Sequence, residues 1–100
     1  MDLLQTIKQR LRITWEDEVE DNNVKMIINA GTAYLDSIAG NSIDFEVDSV
    51  ALELLYCYIL YARNDSIAAF REAYSPDLLA LSLRYKAKRL KEQRENEDKE

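Results

Sequence analysis

The segment Val50 to Ala62, VALELLYCYILYA, constrains the fold more than any other part of the chain, because Glu53 is its only charged residue. Thirteen helical residues are too few to cross a bilayer. A helix apolar on nearly every face must therefore be surrounded by other helices or by partner subunits. The rest of the chain also favours helices. It has two glycines and one proline among 100 residues and no β-branched alternation, so it lacks the punctuation that strands require.

Helical periodicity and capping signals divide the chain. Asp2 with Gln5 has capping-box spacing, and Leu3, Leu4, Ile7 and Leu11 form one stripe behind it. Thr14 and the acidic cluster Glu16, Asp17, Glu18, Glu20 and Asp21 suit the start of a second helix, where the macrodipole favours negative charge. Val24, Ile27, Ile28, Gly31, Tyr34, Leu35 and Ile38 then recur at three- to four-residue steps up to Gly40, a suitable stop. A glycine inside a helix costs about 1 kcal/mol against alanine, so Gly31 implies a close neighbour. Asp44 or Asp48 can open the third helix, and Ser66 a short fourth. Ser75-Pro76-Asp77 opens a last helix carrying Leu78, Leu79, Leu81, Leu83, Tyr85 and Leu90. The expectation is an all-α single small domain of four to five helices with a long, partly exposed C-terminal helix. Residues 1–91 form the helical domain. Residues 92–100 are expected to be a charged, disordered C-terminal tail with nothing to bury.

No catalytic chemistry is visible. The chain has no histidine, no nucleophile elbow, no phosphate-binding glycine loop and no metal-ligand spacing, so no enzyme, cofactor or metal is expected. The acidic cluster lacks the glycine and the loop-ending glutamate of an EF-hand. The lone Cys57 lies inside the apolar run, where a thiol packs as a small hydrophobe. No secretory signal or membrane span is evident, which suits the cytoplasm.

Charge is distributed unevenly. Residues 1–83 carry six basic and fourteen acidic side chains, whereas residues 84–94 carry Arg84, Lys86, Lys88, Arg89, Lys91 and Arg94 against Glu92 alone. Three readings stand: contact with nucleic-acid phosphates, docking on an acidic partner, or a solvated helix end that the macrodipole tolerates. Only Tyr85 interleaves with these charges, so a base-stacking platform has little support. A helix-turn-helix is disfavoured because the third helix is too apolar to read DNA. Tyr56, Tyr58 and Tyr61 cannot all point into so small a core. Together with Arg63 they are candidates for a subunit interface.

The order Leu11-Arg12-Ile13-Thr14, Glu16-Asp17-Glu18, Asp21, Ala30, Ala33-Tyr34-Leu35 and Gly40 resembles the opening half of the head–tail connector (adaptor) family of long-tailed bacteriophages. The resemblance continues through Tyr61-Ala62-Arg63-Asn64, Phe70, Tyr74, Ser75, Asp77-Leu78-Leu79 and Leu81, and so covers about residues 3–85. It implies a structural subunit at the virion's head–tail junction, made in the host cytoplasm. Such subunits form a ring under the portal, dodecameric when seated there. The ring extends the DNA channel without sequence-specific binding and offers a surface to the next head-completion, stopper or tail protein. In related adaptors the C-terminal segment reaches the portal, which makes Arg84 to Arg94 the candidate portal contact. The rival readings are a generic helical protein–protein interaction or regulatory module and a small DNA-binding regulator.

Overall fold

A computed structural model describes the backbone of residues 3–98 and the side chains of residues 3–96. Five helices follow one another: α1 (Leu3–Arg10), α2 (Glu18–Ala39), α3 (Ser49–Arg63), α4 (Ile67–Ala73) and α5 (Ser75–Asp98). No strand occurs among the described residues. The all-α expectation holds, with one small domain and a long final helix. The cap proposed for Asp2 lies outside the described residues.

Local chemistry explains most of the boundaries. The start of α2 falls later than Thr14, because Asp17 is the N-cap and its carboxylate accepts from the Val19 and Glu20 amides at 2.9 and 3.4 Å. The intervening residues serve the end of α1. Arg12 takes a left-handed φ of 61° and the Ile13 amide donates back to Lys8 O at 2.9 Å, which turns Ile13 into the core. Gly40 ends α2 with a φ of 68°. Asp48 caps α3 by accepting from the Ala51 amide at 3.0 Å. Ser75 lies inside α5 rather than before it, and Tyr74 links α4 to α5.

The helices pack chiefly around α2, which meets α1, α3 and α5, while α4 packs on α3. Gly31 sits where a Cβ would lie 2.8 Å from both Leu55 Cδ1 and Tyr58 Cδ1, so the missing side chain is what lets α2 and α3 approach. Arg63 at the end of α3 pairs with Glu20 near the start of α2 at 2.8 Å, so the two helices run antiparallel. Arg84 and Tyr85 on α5 reach Asp48 at the start of α3. Hence α5 also runs against α3 and points the same way as α2. Val24, Ile28, Leu35, Leu54, Leu55, Ile59 and Phe70 form the centre of the core, and Leu78, Leu81 and Tyr85 extend it along α5. Lys8 is buried with its Nζ 2.8 Å from Asp21 Oδ1, a charge contact between α1 and α2 rather than a well-directed hydrogen bond.

Past Tyr85 the last helix leaves the body. Every residue from Lys86 to Asn96 is exposed, yet the backbone stays helical to Asp98, with no break at residue 92 where the sequence suggested a tail. This extension makes the molecule elongated, 55 × 29 × 17 Å with a radius of gyration of 15.7 Å. A compact chain of this length would be near 13 Å. No helix among the described residues is long and apolar enough to cross a membrane.

Candidate functional site: the C-terminal helix and the faces around it

The basic residues of α5 divide according to helical phase. Leu78, Leu81 and Tyr85 face the core, and Arg89 follows Tyr85 by one turn on the same side. The Arg89 guanidinium donates to Ala39 O at 2.6 Å and more weakly to Gly40 O at 3.4 Å. These carbonyls belong to the negative end of the α2 dipole, so a cation there is favoured. Arg84 pairs with Asp48 at 2.9 Å, and the Tyr85 hydroxyl donates to the same carboxylate at 2.7 Å.

Asp48 thus caps α3 and anchors α5 at once. Burial opposes its charge, but hydrogen bonds from Tyr85, the Ala51 amide and Arg84 prevail and hold its carboxyl below the ordinary range. Burial, and then the bond to Asp48, push the Tyr85 hydroxyl up to about 12.

The remaining cations turn outward. Lys88 Nζ lies 5.7 Å from the centre of the Tyr85 ring, a contact between neighbours on the helix surface. Lys86, Lys91 and Arg94 are exposed and make no ion pair among the described residues. The six basic residues singled out in the sequence therefore fall into two sets. Arg84 and Arg89 fasten the helix, whereas Lys86, Lys88, Lys91 and Arg94 are presented to solvent.

The aromatic candidates on α3 all find partners inside the chain. Tyr58 is core, stacked on Tyr34 with ring centres 5.9 Å apart and edge-on to Phe70 at 5.5 Å, which leaves it no face to offer a neighbour. Tyr61 is half-buried against Phe70 and Tyr74. Tyr56 is half-buried beneath Arg10, whose guanidinium sits 3.8 Å from the ring centre while gripping Glu53 at 2.6 and 3.2 Å. Arg63 is engaged with Glu20.

Between α3 and α5 lies an open groove of about 650 Å³, lined chiefly by Val50, Leu54, Cys57, Tyr74, Ala80 and Leu81. The Tyr74 hydroxyl beside the Cys57 thiol is pushed up to about 12, so it stays neutral at neutral pH. Several apolar side chains remain uncovered on the outer faces of the bundle. Val19 and Met26 on α2 are each 70% exposed, and Leu79, Leu83 and Leu90 on α5 are 61%, 55% and 51% exposed. Sequence reasoning missed these two stripes, although their helical spacing was legible once the core face of each helix was known.

Comparison with known proteins is consistent with this anatomy of an assembly part. Neither the curated proteins nor the solved structures yield a match. The profile of one family, described as phage connector protein, matches residues 3–61, which span α1, α2 and all but the end of α3. A match over more than half of the chain makes it a member of the phage connector protein family, whose general role is to join head and tail.

Proposed function

We propose that this connector acts as a ring-forming adaptor beneath the portal at the capsid vertex, and that the outward cations Lys88, Lys91 and Arg94 of α5 contact the portal. The supporting observation is the division of the basic stretch. Arg84 and Arg89 fix the direction of α5, while Lys86, Lys88, Lys91 and Arg94 stand clear of an otherwise acidic body. Charges displayed on a helical scaffold and left without an ion pair among the described residues suit electrostatic docking on an acidic surface, where they govern encounter and register. The acidic body lining a channel repels DNA phosphate and so lets the duplex slide. In this reading the partners are further copies of the chain, twelve when seated on the portal, the portal itself, and the next head-completion or tail protein. The half-buried Tyr56 and Tyr61 and the exposed Arg63 brace the helices that present those surfaces, and the virion is the site of action.

The test replaces Lys88, Lys91 and Arg94 together by glutamate and measures attachment to purified portal. Loss of attachment at unchanged thermal stability is expected. Unchanged attachment would remove the segment from the mechanism.

A further inference from the structure

Five of the nine large apolar side chains left exposed among the described residues lie on only two surfaces, the outer faces of α2 and α5. On α2 the outward positions Met26, Ala30, Ala33 and Ser37 follow a 4-3-4 spacing. On α5 the outward positions Leu79, Leu83, Lys86 and Leu90 follow the same spacing in the same direction. Such a seam is what one helix needs to pack along another at a small angle. The two surfaces are also unlike in a useful way. The α5 stripe consists of three leucines and a lysine, whereas the α2 stripe beyond Met26 is alanine, alanine and serine, shallow enough to receive them. No charged residue interrupts the α2 stripe.

We infer that the outer face of α2 in one copy receives the outer face of α5 from the next copy, with the helices parallel. In this register Met26 faces Leu79, Ala30 faces Leu83, Ala33 faces Lys86 and Ser37 faces Leu90. Two observations identify a second copy as the occupant. The first is level. Within one chain α2 and α5 already point the same way, and Arg89 stands beside Ala39 and Gly40. The proposed register differs from that alignment by about one helical turn, roughly 5 Å. Copies related by rotation about an axis along the helices therefore bring the stripes together with little vertical shift.

The second observation is charge. Lys86, the only cation in the α5 stripe, comes opposite Ala33, one turn from Asp36. One Asp36 oxygen accepts from the Ile43 amide at 3.0 Å, and the other has no hydrogen bond among the described residues. Lys86 of the incoming helix supplies a partner for it.

On α2 the stripe lies opposite the buried Val24, Ile28 and Leu35, and on α5 it is turned well away from the buried Leu78, Leu81 and Tyr85, so the two stripes are separate surfaces of one molecule. Each copy thus uses one stripe toward each neighbour. The contact is heterologous and continues from copy to copy until it closes. The inference rests on the ring reading above and specifies the surfaces that would close the ring.

Disulfide trapping tests it. In a Cys57→Ser background, Ala30→Cys is combined with Leu83→Cys in the full chain at high concentration, oxidised and run without reductant. A ladder of dimer, trimer and larger species is expected, with no ladder from either single cysteine. Dimers from Ala30→Cys alone would indicate an α2–α2 contact and overturn the proposal. Absence of adducts would overturn it too. Negative-stain images of the parent protein separate the two levels: rings without the 30–83 adduct refute this interface alone, whereas a chain that stays monomeric even with purified portal refutes the ring reading.

Discussion

Helices α3 and α5 are opposite solutions to the same problem of holding a helix in place. In α3, Ala51, Leu54, Leu55, Tyr58 and Ile59 are buried, so tertiary burial keeps the helix formed. Among the described side chains of α5 only Leu78, Leu81 and Tyr85 are buried, all within the first three turns, and residues 86–96 are mostly charged or polar and exposed. Polar attachments replace the missing core: Arg84 and Tyr85 on Asp48, then Arg89 on the end of α2. The comparison shows how a small protein can project a helix beyond its body. Apolar packing supplies the foundation, and a few charge-assisted hydrogen bonds to helix ends set the direction.

The difference is sharpest in truncation. Leu55→Ala, at a fully buried site on α3, is expected to cost about 3 kcal/mol in a denaturant titration. Leu90→Ala on the free part of α5 should change stability by no more than about 0.5 kcal/mol. A comparable loss at both sites would mean that the end of α5 is packed in the isolated chain.

Next in size is Asp48→Asn, which weakens the cap of α3 and the anchor of α5 together, at about 2 kcal/mol. Its pH dependence has a definite sign. The folded pKa of Asp48 lies below its unfolded value, so the stabilisation is complete above the ordinary carboxylate pKa, about 4, and fades as pH falls through the lowered folded value. The stability gap between the parent and Asp48→Asn, measured at stepwise lower pH, should therefore narrow on acidification. A gap that widened would contradict the assigned role.

Gly31→Ala examines the other side of the comparison, the fit of α2 against α3. The added methyl meets Leu55 and Tyr58 at 2.8 Å. Overpacking of this kind outweighs the gain in helix propensity, for a net loss of about 1 kcal/mol by thermal or chemical unfolding. The smallest effect concerns the tip of α5. Amides beyond Leu90 should exchange with solvent far faster than those of α3, because only local fraying is needed to expose them.

The sequence was most informative where the chemistry is local. The apolar run, Gly31, Gly40 and Asp48 lie within or beside the elements they shape, and the expected order of helices follows from them. The end of α1 was hidden because an arginine, Arg12, occupies the left-handed position where glycine is the usual signal. The division within the basic stretch was hidden for a different reason. Arg89 and Lys86 look alike in composition, and only the phase set by Leu81 and Tyr85 assigns one to the α2 carbonyls and the other to solvent. Tyr58 was misjudged as a candidate surface residue because four aromatic rings, Tyr34, Tyr58, Phe70 and Tyr61, nest together across three helices, which no local pattern reveals.

The grip of Arg89 on Ala39 and Gly40 has a mechanical consequence. Beyond that clamp α5 continues for nine residues, about 13 Å of unbroken helix. A load applied at the far end cannot dissipate in a soft linker, because none intervenes. It arrives as leverage on the corner where α2 stops, so a partner holding the tip would also steer the orientation of the whole bundle.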